Sequence, residues 1–153
     1  MKVKMLMVCL GNICRSPIAE GVLKAKINSD NFFIDSAGTG SWHVGNKPDI
    51  RSITVSKKHH IDISYQKARQ FTYEDYKNFD HIYVMDQSNK KNVLSLAITT
   101  EDRNKVQLIL DELIPNSNLE VPDPYYDEDQ GFENVFQLLD KACDSIAYRF
   151  LHF

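Results

Sequence analysis

The sequence predicts an α/β fold: a single domain with a four-stranded parallel sheet and helices on both faces. Four short apolar runs of strand composition alternate with segments of helical periodicity, which is the order of β-α-β units. The chain has 153 residues, a length that suits one domain with a substantial core, and we expect one domain over residues 1–153. The first apolar run leads directly into a polar loop and a helix, the arrangement in which such sheets bind ligands.

The four predicted strands are continuous apolar segments rich in Val, Ile, Leu, Met and aromatic residues. Short runs of this kind are typical of parallel strands that are buried on both faces. The predicted strands cover residues 3–8, 32–37, 80–85 and 105–110.

The first predicted helix follows the polar loop. Apolar residues recur at helical spacing over residues 17–28. Ser16 could cap this helix, and Pro17 suits its first position because proline has no N–H to leave unpaired. We therefore expect a strand, loop and helix in direct succession at the start of the chain.

The remaining segments are assigned by periodicity and by loop composition. Further helices are predicted over residues 48–58, 72–78, from a cap at Asp86 or Ser88 to about 97, and 132–150, the last with the clearest apolar stripe. Residues 38–45 are rich in glycine and are predicted to be a loop at the same sheet edge as the first one. Residues 113–131 contain three prolines and several aspartates, and such long loops are usually functional.

Composition limits the possible partners and compartment. The formal net charge is −3, which gives no support for a nucleic-acid partner. No apolar run is long enough for a membrane span, and the first run is too short for a signal peptide, so no membrane partner is expected. The three cysteines, Cys9, Cys14 and Cys143, are an odd and sparse set that favours reduced thiols in the cytoplasm.

The loop between the first strand and helix begins with Cys9 and ends with Arg15, with five residues between them. A strand-loop-helix junction points backbone N–H groups at one spot, and the helix dipole makes that spot favourable for anions. A thiol placed there is favoured as the nucleophilic thiolate. Arg15 can hold two phosphoryl oxygens at once, while Gly11 and Asn12 permit unusual backbone angles. The alternative is a buried structural cysteine with an arginine that caps another group.

Residues 9–20, Cys-Leu-Gly-Asn-Ile-Cys-Arg-Ser-Pro-Ile-Ala-Glu, resemble the signature of the low molecular weight protein tyrosine phosphatases. Further stretches resemble this family in the expected order: 34–37 (IDSA), 41–45 (SWHVG), 67–70 (KARQ), 85–89 (MDQSN) and 121–126 (VPDPYY). The resemblance implies a protein-tyrosine phosphatase that needs no metal or other cofactor. Its partner would be a protein or peptide that contains phosphotyrosine, and we expect a monomer.

The resemblance also implies catalytic roles. Cys9 would be the nucleophile that forms a cysteinyl-phosphate, Arg15 the phosphate clamp, and Asp123 the general acid and then base. Local sequence alone favours a solvated aspartate at position 123, between two stiff prolines, and the resemblance reverses that interpretation. The implied phosphate-binding loop comprises Leu10, Gly11, Asn12, Ile13, Cys14 and Ser16.

The three aromatic residues Trp42, Tyr125 and Tyr126 are the candidate substrate pocket. They could be ordinary core residues, but they lie in loops rich in glycine or proline. The resemblance makes them, with Leu10 and Ile13, the walls of a slot for an aromatic ring. Such a slot would be deep, so the shorter phosphoserine could not bring its phosphate to the cysteine.

Two further roles follow from the resemblance alone. Ser36 would support the loop through hydrogen bonds with Asn12 and Ser16, although Gln66 stands where the family often has a histidine of that network. Cys14 is either a small buried side chain or the partner of a reversible disulfide with the nucleophile that protects it from irreversible oxidation.

Four other functions are alternatives to protein-tyrosine phosphatase activity. A thioredoxin-coupled arsenate reductase of the same fold would need cysteines within residues 85–96, which contain none. Protein-arginine phosphatases resemble this loop but carry a small threonine where Ile13 stands, and Ile13 favours an aromatic substrate. A non-catalytic phosphotyrosine-binding module is disfavoured by the intact Cys9, Arg15 and Asp123. A phosphatase for a small phosphorylated metabolite stays open.

Overall fold

A parallel four-stranded sheet forms the centre of the protein, in a computed structural model that describes residues 2–27 and 30–152. The strands lie in the order β2-β1-β3-β4, and every neighbouring pair is parallel. Their bounds are Val3–Cys9 (β1), Phe32–Gly38 (β2), His81–Val84 (β3) and Val106–Leu108 (β4). The α/β class and the parallel sheet predicted from the sequence are confirmed.

Helices cover both faces of this sheet. They are Arg15–Lys26 (α1), Ile50–Lys58 (α2), Glu74–Asn78 (α3), Gln87–Ser95 (α4), Thr100–Asn104 (α5) and Asp129–Leu151 (α6). Along β1, Met5 and Met7 pack into the core beneath α1, α2 and α6, whereas Leu6 and Val8 pack into the core beneath α3 and α4. This alternation follows from the two-residue period of a strand, so β1 is buried on both faces. Among the helices of the described residues, none has both the length and the apolar character needed to span a membrane.

The start of α1 differs from the prediction. The helix begins at Arg15, its N-cap residue is Cys14, and no side chain makes a capping hydrogen bond. Ser16 is therefore the second helical residue rather than the cap, and Pro17 is the third rather than the first. Proline is accommodated there because the N–H groups of the first turn have no partner within the helix. The predicted end of this helix at Asn28 lies outside the described residues.

The second half of the chain contains a helix that the sequence analysis missed. Thr99 and Asp102 form a reciprocal capping box at the start of α5. The signal was present as a threonine followed three residues later by an acidic residue, although the preferred acidic partner is glutamate. Without an apolar stripe, five residues give little periodicity to detect.

The end of β4 and the start of α6 also differ from the predicted bounds. The strand predicted over residues 105–110 ends at Leu108, because Ile109–Glu112 form a 3₁₀ turn that places Ile109 and Leu110 in the core against α6. Helix α6 begins at Asp129, three residues before its first apolar residue. The long loop predicted to end at residue 131 therefore ends at 128.

Asp86, one of the two predicted caps, is the N-cap of α4 and accepts a hydrogen bond from the backbone N–H of Asn89.

Candidate active site

The loop of residues 10–14 joins the carboxyl end of β1 to α1. Cys9 ends the strand with its side chain almost fully buried, and its Sγ lies 3.0 Å from Oγ of Ser16. Asn12 has a left-handed backbone with φ of 57°, a conformation that asparagine tolerates better than most residues. The loop therefore turns sharply enough to return the chain to the sheet edge, where the thiol and the helix start are neighbours.

Glycine at the end of β2 lets this loop pack closely on the neighbouring strand. A Cβ atom on Gly38 would lie 2.8 Å from the carbonyl oxygen of Leu10 and 3.0 Å from the backbone nitrogen of Asn12. Such distances would force the loop backbone away from β2. The N–H groups of Thr39 and Gly40 donate to the carbonyls of Cys9 and Leu10 at 2.9 and 2.8 Å, which ties the first two loops together.

Arg15 is the best-secured side chain of the site, with only 2% of its surface exposed. Its Nη1 donates to Oδ2 of Asp86 at 2.7 Å and to the carbonyl of Val121 at 2.9 Å, while its Nη2 lies 3.8 Å from Oδ2 of Asp123. Burial alone would lower the pKa of Arg15, but the nearby Cys9 and the hydrogen bond to Asp86 hold it above its usual value. The guanidinium therefore stays charged and fixed in direction.

A buried hydrogen-bond network lies behind the loop. Nδ2 of Asn12 donates to Oγ of Ser16 at 2.7 Å and to Oγ of Ser36 at 3.0 Å, and Ser36 in turn donates to Oε1 of Glu20 at 2.7 Å. Oδ1 of Asn12 accepts from the backbone N–H of Arg69 at 3.1 Å. Because Oγ of Ser16 accepts a hydrogen bond from Asn12, its own hydroxyl hydrogen can be donated to Sγ of Cys9.

Glu20, rather than Gln66, closes this network. The amide of Gln66 donates to the carbonyl of Pro17 at 3.0 Å, and its Oε1 is buried without a partner among the described residues. The carboxylate of Glu20 is buried and is also 2.6 Å from Nζ of Lys24. Glu20 was not among the predicted site residues, although its position one helical turn after Ser16 is a usable signal.

A cavity of about 260 Å³ opens above the loop. Cys9 and Arg15 line it together with Leu10, Gly11, Ile13, Cys14, Trp42, His43, Asp123, Tyr125 and Tyr126. All three predicted pocket aromatics are thus brought to one cavity from two separate loops. Trp42 and Tyr126 are 72% and 95% exposed, so they stand at its mouth.

His43 is a cavity residue that the sequence analysis missed. Its ring centre lies 6.4 Å from that of Tyr125, which also lines the cavity. A Cβ on Gly11 would lie 3.0 Å from Cδ2 of His43, so the glycine leaves room for this imidazole. Only its place between Trp42 and a glycine-rich turn could have indicated that it faces the site.

Asp123 reaches the cavity from a segment that contains no helix or strand. Its Oδ1 accepts from the backbone N–H of Tyr125 at 3.1 Å, which turns the carboxylate back over its own loop. The side chain of Asp123 is 41% exposed, in contrast to Arg15 beside it. The carboxylate therefore has access to water as well as to the cavity.

All three cysteines carry free thiols. Burial, and then the carboxylate of Asp49, raise the pKa of the Cys14 thiol to about 12, so Cys14 keeps its proton near neutral pH. Cys143 is fully buried on α6 with its thiol 3.8 Å from the carbonyl of Ala19, and burial raises its pKa as well. Cys143 is thus a core residue, whereas Cys9 and Cys14 share the cavity.

The arrangement combines a buried thiol, a fixed guanidinium and a helix start around one anion-sized space, with a carboxylate at its side. Such a set can bind a phosphoryl group, attack it with sulfur and exchange a proton with the group that leaves. Within residues 2–27 and 30–152, no three His, Cys, Asp or Glu side chains are grouped to hold a metal ion.

Comparisons with known proteins find relatives that match most of the chain. A family model described as low molecular weight phosphotyrosine protein phosphatase matches residues 4–151. A putative low molecular weight protein-tyrosine-phosphatase from Synechocystis is 43% identical over 147 residues, covering 94% of this chain and 93% of the relative. The low molecular weight phosphotyrosine protein phosphatase of Sus scrofa is 41% identical over 143 residues, covering 90% and 89%.

Solved structures are similar over almost the full chain. A protein tyrosine phosphatase from Entamoeba histolytica superposes with a TM-score of 0.92 and 35% identity, covering 99% of this chain and 98% of that one. Wzb from Vibrio vulnificus, solved in complex with benzylphosphonate, has a TM-score of 0.87 and 30% identity, covering 97% and 99%.

Proposed function

The chain belongs to the low molecular weight phosphotyrosine protein phosphatase family, and on this premise we propose a two-step mechanism centred on Cys9. The family implies protein-tyrosine phosphatase activity on phosphoprotein substrates. The observation that carries the mechanism is the shared cavity of Cys9, Arg15 and Asp123, three residues that the sequence scatters over more than a hundred positions.

In the first step, the thiolate of Cys9 attacks phosphorus in line with the tyrosine oxygen. The sulfur-phosphorus bond forms as the bond from phosphorus to the phenolic oxygen breaks. Arg15 has Nη1 committed to Asp86 and Val121, so its Nε and Nη2 remain for two phosphoryl oxygens, and the loop N–H groups hold the others. Asp123 gives its proton to the leaving phenolic oxygen, so that neutral tyrosine departs.

In the second step, water hydrolyses the cysteinyl-phosphate. Asp123, now a carboxylate, takes a proton from the attacking water, whose oxygen bonds to phosphorus while the bond to sulfur breaks. Inorganic phosphate and the thiolate of Cys9 are restored, and Asp123 is protonated again for the next cycle. Partial exposure of the Asp123 side chain supports this role, because water must reach it.

The cavity walls support an aromatic substrate. Trp42, Tyr125 and Tyr126 stand around the opening, and Leu10 and Ile13 line it closer to the thiol. Aromatic rings pack favourably on such side chains. Wzb from Vibrio vulnificus was solved with benzylphosphonate, which joins an aromatic ring to a phosphonate. Phosphoserine is too short to bring its phosphate to Cys9 while making the same contacts.

The network of Asn12, Ser16, Ser36 and Glu20 supports the loop in this proposal. It holds the loop in its binding conformation before substrate arrives, so little reorganisation is needed during the reaction. The hydroxyl of Ser16, 3.0 Å from Sγ of Cys9, stabilises the thiolate both as nucleophile and as leaving group.

A comparison of phosphopeptides tests the substrate class. Matched peptides that carry phosphotyrosine, phosphoserine or phosphoarginine are assayed for phosphate release in the presence of a chelator. We expect the phosphotyrosine peptide to have a kcat/KM greater than either of the others by a factor on the order of a hundred, since only its ring fills the pocket. Preference for phosphoarginine would overturn the substrate, and activity that needs added metal would overturn the mechanism.

Cys14 has a proposed protective role. Peroxide would oxidise Cys9 to a sulfenic acid, and the Cys14 thiol would displace water from it to form a disulfide that added thiols can reduce. After peroxide treatment and then dithiothreitol, we expect the wild-type chain to regain most of its activity and Cys14→Ser to regain much less. Equal recovery of both chains would refute this role for Cys14.

A further inference from the structure

The segment that carries Asp123 has few attachments of its own. Residues 122–128 form no helix or strand. The segment is anchored where it begins, because the N–H of Val121 donates to the carbonyl of Met85 and its carbonyl accepts from Arg15. Two further bonds, from Tyr125 to Asp123 and from Asp127 to Pro124, are internal and do not attach the segment to the rest of the protein.

Arg51, in the first turn of α2, provides the attachment on the other side. Its Nη2 donates to the carbonyl of Tyr125 at 2.9 Å and its Nη1 to the carbonyl of Asp127 at 3.0 Å. Its Cζ also lies 4.4 Å from the ring centre of Phe132 and 5.7 Å from that of Tyr125. One guanidinium thus holds two carbonyls that follow Asp123 and packs against a wall of the cavity.

Asp49 connects Arg51 to the phosphate-binding loop. Its carboxylate accepts from Nε and Nη2 of Arg51 at 3.0 and 2.9 Å, and also from the Arg51 backbone N–H. The hydrogen bonds from Arg51 hold the pKa of Asp49 below its usual range, so the pair stays charged. The backbone N–H of Asp49 donates to the carbonyl of Ile13 at 2.8 Å, inside the loop that begins with the nucleophile.

We propose that Arg51 is a positioning residue that fixes the Asp123 segment to the phosphate-binding loop and so places the general acid beside the leaving-group oxygen. This inference rests on the proposed function. The continuous path runs from Ile13 through Asp49 and Arg51 to the carbonyl of Tyr125. General acid catalysis depends on a hydrogen-bond distance, and a displacement of about 1 Å can cost about a hundredfold in rate.

The same geometry predicts a small effect on folding. The guanidinium of Arg51 is partly exposed, and ion pairs that water can reach contribute little to stability. Loss of the guanidinium should therefore loosen the Asp123 segment without unfolding the sheet. Methionine is a suitable replacement because it retains an unbranched apolar stem against Phe132 and lacks donors for the carbonyls.

The first experiment measures the dependence of Arg51→Met on the leaving group. The leaving oxygen of phenyl phosphate must be protonated as it departs. That of 2,4-dinitrophenyl phosphate depends far less on protonation, because dinitrophenolate is a stable anion. We expect kcat/KM to fall by about tenfold or more for phenyl phosphate and by less than about threefold for the dinitrophenyl ester. An equal loss on both substrates would indicate a merely structural effect and would overturn the proposal.

Two variants serve as controls. Lys57→Met removes another cation from α2 at an exposed position and should leave both substrates unaffected. Arg51→Lys keeps the charge but not the planar fork that reaches Asp49 and two carbonyls together, so it should behave like Arg51→Met. Full activity of Arg51→Lys would show that charge alone is needed and would also overturn the proposal.

The second experiment combines Arg51→Met with Asp123→Asn. Arg51 is proposed to act through Asp123. In the Asp123→Asn background, Arg51→Met should therefore lower kcat/KM for phenyl phosphate by less than about twofold. A multiplied loss in the double variant would overturn the inference while leaving the proposed function intact. Absence of wild-type turnover, or full activity of Asp123→Asn, would instead overturn the proposed mechanism and this inference with it.

Discussion

Replacement of Cys9 by serine is expected to abolish turnover of phosphotyrosine, with a loss of about four orders of magnitude or more. A serine hydroxyl holds its proton near neutral pH, and the surrounding N–H groups, Arg15 and the Ser16 hydroxyl stabilise an anion that serine does not supply. The change removes the proposed nucleophile and keeps the groups that are proposed to bind phosphate. Phosphate release from a phosphotyrosine peptide, followed for hours at high enzyme concentration, measures the residual rate.

A binding measurement distinguishes loss of the nucleophilic thiol from loss of the folded site in this variant. Cys9→Ser should still bind inorganic phosphate by calorimetry, because Arg15 and the loop backbone remain. The matched control is Cys143→Ala, a change at a core cysteine on α6 that does not line the cavity, and it should keep full turnover. Turnover by Cys9→Ser within about tenfold of the wild type would sink the covalent mechanism.

Replacement of Arg15 by lysine is expected to lower kcat/KM by a factor on the order of a hundred to a thousand. Arg15 donates to Asp86 and to Val121, and in the proposed mechanism its remaining N–H groups hold two phosphoryl oxygens. A lysine ammonium is a single point and cannot hold two phosphoryl oxygens in a plane and keep both protein contacts. The loss should appear in transition-state stabilisation and in affinity for inorganic phosphate.

Kinetics and unfolding together test the role of Arg15. Lysine retains the charge opposite Asp86, so Arg15→Lys should be more stable than Arg15→Met, which leaves a partly buried carboxylate unpaired. Arg103→Lys, at an exposed position on α5, is the matched control and should change neither activity nor melting temperature. If Arg15→Lys retained kcat/KM within about threefold, the two-oxygen clamp would be wrong.

The predictions that came from short sequence patterns agree with the structure where the pattern itself determines the geometry. Continuous apolar runs became buried parallel strands, and the polar loop after β1 became a cavity floor because the carboxyl ends of the strands share one edge. Patterns that depend on capping or on boundaries were less informative. Ser16 had the correct residue type for a cap, yet its hydroxyl is engaged by Cys9 and Asn12, and the helix begins earlier.

The contacts that hold the site together connect distant parts of the chain. Arg15 contacts the carbonyl of Val121, 106 positions away, and Arg51 contacts that of Tyr125, 74 positions away. A backbone carbonyl carries no residue-specific signal, so no motif could indicate either contact. The sequence left open how the loop network closes, since Gln66 stands in place of a histidine. The structure closes it at Glu20, whose carboxylate is buried beside Ser36.

By itself, the sequence determined the order of the four strands and of every helix except α5, and it indicated the chemistry proposed for the first loop, because hydrophobic periodicity and a compact motif act over a few residues. Only the tertiary structure decided what holds that chemistry in place: Asp86 and Val121 on Arg15, Glu20 behind the loop, and Arg51 on the Asp123 segment. An arginine or a carboxylate has many possible partners along the chain. Packing of the helices on the sheet selects among them by bringing particular loops to one edge.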